Sequence, residues 1–314
     1  LSLGPNWSQK RSRNHLILKF LLSKNENNSR RVLQMNKSVS QKCNKLQKTI
    51  ADRGLASRRE AERWIEARRV KVNGEVARLG QRVSVEDLIE IDDETLTKTP
   101  SVSCRVLLLN KPVGMICSRK DALHRSSVFD NLPTLNAGRW VSVGRLDLQS
   151  SGVLLFSTDG QLADKLMHPS SGLDREYAVR VRGRLDEAQL DLALSGANID
   201  GEQLRFSDIR FFNGSSSNSW YHVVLMEGRN REIRRLFEFL GSPVSRLKRV
   251  RYGPVIAPSW LKTGQYTELN ITDVSKLYRL VGLSAPGKNK MTKKHGGSKY
   301  QATKSCLIDY PNLV

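Results

Sequence analysis

Acids are scarce in this 314-residue chain: 31 Asp and Glu stand against 52 Lys and Arg, a formal net charge of +21. A surface so poor in negative charge carries a wide positive field and favours a polyanionic partner, either a phosphate backbone or an anionic membrane. Long apolar runs are also missing. The nearest to the roughly 18 residues that a spanning helix needs, Leu16 to Leu22, is short and broken by Lys19. That disfavours a membrane and leaves nucleic acid as the expected partner. Cysteine is rare, and Cys43, Cys104, Cys117 and Cys306 form no Cys-x-x-Cys pair and have no His at ligand spacing. Neither a zinc site nor a disulfide framework is indicated, which suits a reducing, cytoplasmic setting. His15, His124, His168, His222 and His295 are equally dispersed. No metal is expected.

What is present is enough apolar residue, 39%, for cores in roughly two domains. Residues 1–44 hold nine Lys or Arg and one acid, Glu26, without periodicity, and read as a basic disordered arm. The first methionine is Met35. An Arg-rich, acid-poor leader also suits an organellar address, a minor alternative to the cytoplasm. From Ser284 onward, Gly, Ser and six lysines without a packed pattern predict a flexible basic tail, placed at 283–314.

Order is expected from residue 45 to 95. Leu46 and Ile50 give a short helical face stopped by Gly54, and Ser57-Arg-Arg-Glu60 is a capping box opening a second helix. On it Ala61, Trp64 and Ile65 face a core, while Arg58, Arg59, Arg63 and Arg68 spread over the exposed side. Val70 to Val76 alternates around an Asn-Gly turn, a hairpin signal, and Leu88 to Ile91 adds a strand. Two helices followed by a hairpin resemble the S4 RNA-binding module. Arg58, Arg59, Arg63 and Lys71 are its candidate phosphate contacts, the plain alternative being a solvated helix face.

Thr95 to Ser103 reads as a linker, and residues 104–282 as a second domain. Strand-like runs at Arg105–Pro112, Trp140–Val143, Val153–Ser157, Glu176–Val181, Tyr221–Met226 and Val250–Tyr252 are interrupted irregularly by helical patterns at Gln161–Met167, Glu187–Leu194 and Arg231–Leu240. This predicts an α+β fold with a mixed or antiparallel sheet.

One acid stands out. Asp147 sits in a polar loop between two strand-like runs, where by itself it reads as a turn cap. Tyr177 opens a strand, ordinarily a packing position. Glu227 to Glu238 passes through Gly228 into a helix with Arg231, Arg234 and Arg235 on its first turns, where cations oppose the helix dipole unless an anion lies opposite. Together these segments are more specific. Gly144-Arg-Leu-Asp147 with Ser151-Gly-Val-Leu-Leu-Phe, Arg175-Glu-Tyr177-Ala-Val, and Glu227-Gly-Arg-Asn-Arg-Glu-Ile-Arg-Arg235 resemble the three signature motifs of the pseudouridine synthases that modify single rRNA sites. Leu109-Asn-Lys-Pro-Val-Gly114 and the S4-like module fit the same family, over about Leu46 to Leu280. Ala137-Gly-Arg-Trp140, Leu166-Met-His-Pro169 and Ser245 to Gly253 are closest to its large-subunit (23S) B type. Ser150 stands where the family usually has Thr.

The resemblance implies conversion of uridine to pseudouridine in a large-subunit rRNA stem-loop, without cofactor, by a monomer. The alternatives are a small-subunit rRNA enzyme of the same fold and a non-catalytic S4-type binding or assembly factor. Asp147 is implied as the essential carboxylate, attacking C1′ or removing the 2′ proton. Arg234 is implied as its ion-pair partner and Tyr177 as the ring on the uracil. Arg145 is expected beside the flipped nucleotide or in an outward salt bridge. Arg229, Arg231, Arg246, Lys248, Arg249 and Arg251 are expected on the stem's phosphates.

Overall fold

The computed structural model describes residues 43–96, 104–119, 121–136, 138–215, 217–285, 304–311 and 313. The basic arm, most of the linker and the middle of the tail lie outside these residues. Two compact units are distinguished, divided close to residue 97.

The smaller unit begins with β1 (Asn44–Lys45), α1 (Leu46–Asp52) and α2 (Arg58–Glu66). Ser57 caps α2, its hydroxyl accepting from the Glu60 N–H at 3.1 Å, and buries Ala61 and Ile65 beneath an arginine-bearing outer side. Strands β2 (Val70–Val72) and β3 (Glu75–Val76) form the expected hairpin. Asn73 and Gly74 both have positive φ, +54° and +84°, the pair of left-handed residues that a two-residue type I′ turn needs. β4 (Arg82–Val83) pairs with β1, β5 (Ile89–Ile91) with β2, and β6 (Glu94–Thr95) with β5. One apolar core, with Leu46, Ile50, Ile65, Val70 and Ile89 buried, joins helices to strands.

The larger unit contains β7 (Val106–Lys111), β8 (Val141–Val143), β9 (Ser151–Ser157), α3 (Gly160–Met167), β10 (Arg175–Arg182), α4 (Glu187–Ser195), β11 (Ala197–Ile199), β12 (Glu202–Leu204), β13 (Asp208–Gly214), β14 (Asn218–Leu225), α5 (Glu232–Phe239), β15 (Val244–Tyr252), β16 (Val255–Ile256), β17 (Tyr266–Glu268) and α6 (Ile271–Leu280). Among the described residues its main sheet runs β13-β14-β10-β15-β9-β7-β17, with β8 on β9 and β16 on β15. All pairings are antiparallel except β15 with β9, so the sheet is mixed, as expected. No described helix is long and apolar enough to cross a membrane.

Two cores divide the sheet's faces. Leu107, Leu109, Leu154 and Phe156 share one with Tyr177, Val179, Tyr221 and the inner faces of α4 and α5. Their alternates Val106, Leu108, Val153 and Leu155 share the other with α3 and α6. The flexible tail expected from 283 is corrected at 304–311. Cys306 is buried, its N–H donating to Asp273 at 3.0 Å, and Tyr310 donates to Asp174 at 2.8 Å.

Candidate active site

The loop between β8 and β9 is built from behind. Gly144 turns it at φ +74°, buried Leu146 anchors it, and the Leu148 carbonyl accepts from the Gly114 N–H at 2.8 Å. Lys111, fully buried at the end of β7, donates its ammonium to the carbonyls of Pro112 at 2.9 Å, Asp147 at 3.2 Å and Ser150 at 2.8 Å. Burial pulls the Lys111 pKa below the usual lysine range, opposed by the nearby Asp147 carboxylate. The main chain around Asp147 is therefore fixed while its half-buried side chain lines a cavity of about 650 Å³, ample for one nucleotide base.

Strand alternation sets the opposite wall. Tyr177 on β10 and Arg249 on β15 are register partners, both buried and both lining the cavity. Gly152 lets the two neighbouring strands meet: with φ +103°, it sits so close to β15 that an added Cβ would lie 2.1 Å from the Arg249 carbonyl oxygen. The Arg249 Nε donates to the Val153 carbonyl at 2.7 Å, while its buried Nη2 has no partner among the described residues. Arg175 is also buried and donates to the Met226 carbonyl at 2.7 Å and the Tyr252 hydroxyl at 3.3 Å, holding the mouth of β10 in place.

The third wall is the start of α5. Arg231 takes a left-handed φ of +50° and turns the chain into the helix, which begins one residue later than expected. Arg234, half-buried, reaches the cavity from the first turn. Burial and the neighbouring Arg231 lower its pKa, and the Asp147 charge acts the other way. The expected ion pair is corrected here: the Arg234 guanidinium donates to the carbonyls of Gln149 at 2.9 Å and Val244 at 3.3 Å rather than to the Asp147 carboxylate. It lies near enough to act on Asp147 through its field, and it braces the same loop. Arg235 points away and pairs with Asp200 and Glu202, which supplies the anion that a cation at a helix start needs.

A second carboxylate lines the cavity. Glu232 is buried, its pKa raised by desolvation, and it accepts from the Arg229 N–H at 3.1 Å. Sequence reasoning missed it, as it missed Lys111 and Arg175. Among the described residues no group of three or more His, Cys, Asp or Glu is placed to hold a metal.

The expected phosphate contacts separate. Arg145, Arg229 and Arg231 line the cavity, with Arg145 and Arg231 exposed and Arg229 engaged with Glu227 and the Gln203 carbonyl. Arg249 is buried inside. Arg246 and Lys248 alternate with Leu247 and Arg249 on β15 and so project from the opposite sheet face. Arg251 is 13% exposed and tied to Asp174 and Glu176. In the smaller unit Arg58, Arg59 and Arg63 are exposed, and Lys71 pairs with Asp93 at 2.6 Å.

Residues 105–239 match the RNA pseudouridylate synthase family and residues 45–89 the S4 domain. Over 243 residues the chain is 48% identical to the ribosomal large subunit pseudouridine synthase B of Escherichia coli (strain K12), covering 76% of this chain and 84% of that protein. The chain belongs to the RNA pseudouridine synthase family. The Pseudomonas aeruginosa protein of the same name is 49% identical over 253 residues, 80% of this chain and 66% of that relative's length. A crystal structure of a pseudouridylate synthase superposes with a TM-score of 0.52 at 28% identity, covering 74% of this chain and 99% of that one. In this pseudouridine synthase fold, Asp147, Tyr177 and Arg234 come from three distant segments and meet at one cavity.

Proposed function

We propose that the chain isomerises one uridine to pseudouridine in a stem-loop of large-subunit (23S) rRNA. The observation that carries this is the convergence of Asp147, Tyr177 and Arg234 on a base-sized cavity, in a chain 48% identical to ribosomal large subunit pseudouridine synthase B. The reaction breaks the N1–C1′ bond, turns the uracil while it stays bound, and forms the C5–C1′ bond. C5 then gives up its proton and N1 gains one, with no net redox change. Asp147 either bonds to C1′ and is later displaced, or takes the 2′ proton and returns it. Tyr177 stacks on the uracil beside C5. Arg234 holds the Asp147 loop through the Gln149 carbonyl and sets its positive charge beside the carboxylate. The target base leaves its stack to enter, with Arg145 and Arg231 at the cavity rim meeting the backbone around it. Arg58, Arg59 and Arg63 of the S4 unit add phosphate contacts. The protein acts as a monomer in the cytoplasm, where ribosomal particles are assembled.

Mapping pseudouridine in rRNA from a strain lacking this protein tests the reading. One site is missing, and wild type restores it while Asp147→Asn does not. Restoration by Asp147→Asn overturns the catalytic assignment, and a missing site in small-subunit rRNA overturns the substrate.

A further inference from the structure

The half of the sheet made by β13, β14, β10 and β15 is covered by α4 and α5 on the face that carries Tyr177, Tyr221 and Leu247. The alternate residues point the other way, and none of them is buried. Register places Arg246, Arg180 and Trp220 side by side in one rung across three strands, with Lys248 and His222 in the next. A bulge in β13 adds Phe212, 67% exposed, whose ring centroid lies 5.4 Å from that of His222. The acids of this face are neutralised internally: Glu176 by Arg251, with the His222 ring in hydrogen-bond contact, and Asp208 by Arg210. Arg180, Arg246 and Lys248 form no ion pair among the described residues, so the face is left with uncompensated positive charge around a row of three rings.

We propose that this face is a second RNA-binding surface, separate from the cavity, that takes an unpaired stretch of RNA. Bases stack on Trp220, His222 and Phe212, and Arg180, Arg246 and Lys248 meet the phosphates. A duplex hides its base faces and would leave the rings unused. An unpaired strand offers both a stackable ring and a charge at every nucleotide. Rungs lie about 7 Å apart along the strands and strands about 5 Å apart across them. A four-stranded face of that size with exposed aromatics accommodates two or three bases. The proposal goes beyond the isomerisation and rests on it only in taking RNA as the polyanion.

The test is binding of the full chain to a labelled oligocytidine about twelve nucleotides long, which holds no uridine and no stable pairing, across a salt series. Phe212→Ala weakens binding roughly tenfold. Arg246→Gln with Lys248→Gln reduces the slope of log affinity against log salt by about 1.4, the loss of two single-strand phosphate contacts. Phe212→Ala still turns over a bare stem-loop at the wild-type rate. Absence of binding by wild type, unchanged affinity in Phe212→Ala, or an unchanged slope in the double variant overturns the proposal. Failure of wild type to isomerise the stem-loop overturns the proposed activity instead, and the oligocytidine measurement reads independently of it.

Discussion

Two backbone carbonyls of the Asp147 loop, those of Asp147 and Ser150, converge with that of Pro112 on the Lys111 ammonium, so the loop is fixed through its main chain while the carboxylate stays free to meet a ligand. Replacing Lys111 by Met leaves those carbonyls without a donor in a buried site, and urea unfolding should show a loss of about 3 kcal/mol. Activity should fall as well, because the loop loses its seat. Asp147→Asn preserves shape, so unfolding should be unchanged while turnover of an rRNA stem-loop drops by at least about 10³-fold. Asp147 and Tyr177 were legible because each lies within a motif whose spacing is local. The role of Lys111 was not. A lysine ending an apolar strand reads as a surface residue until the partner loop, some 36 positions further on, folds over it.

At the scale of elements, β15 carries most of what the sequence obscured. Its run of cations hides the alternation, so only Val250–Tyr252 reads as strand, and all four neighbouring basic residues read as one phosphate-binding surface. The full strand Val244–Tyr252 sends Arg249 inward and Arg246 and Lys248 outward. Gly152 is the hinge of that arrangement. Gly152→Ala meets both a positive φ and the Arg249 carbonyl, and should cost about 3 kcal/mol or more, read as a lower urea midpoint. The Asp174–Arg251–Glu176 network ties the same strand to β10 and to the tail. Burial alone would raise both carboxyls. Hydrogen bonds from Arg251 and Tyr310 to Asp174, and from His222 and Arg251 to Glu176, outweigh it and hold both below the ordinary carboxylate range. Depressed carboxyls stabilise the folded state above their unfolded pKa, and that contribution is lost as pH falls through the folded one. Stability should therefore decline below about pH 4, and Arg251→Met should remove about 2 kcal/mol at neutral pH and flatten the acid limb. The packed 304–311 segment escaped the sequence reading because its contacts reach back to β16, to Asp174 and to Asp273 of α6, which no local pattern reports.

For the whole molecule, the S4 unit and the synthase unit each have their own apolar core, but the net charge of +21 is not shared evenly: residues 45–96 hold eleven Lys or Arg against eleven Asp or Glu, so the S4 unit's affinity for phosphate rests on where its exposed arginines lie. Deleting residues 45–95 should weaken rRNA binding and lower its salt slope while the remaining domain still unfolds cooperatively; equal affinity without the unit would refute its role in RNA binding. The mixed sheet, the order of the two units and the meeting of three motifs were all foreseeable from sequence. The direction each arginine faces required the fold. The most direct measurement is nucleotide-resolution mapping of pseudouridine in large-subunit rRNA incubated with the purified chain. The account predicts one new pseudouridine with wild type and none with Asp147→Asn. No modification by wild type, or the same modification by both, would contradict it.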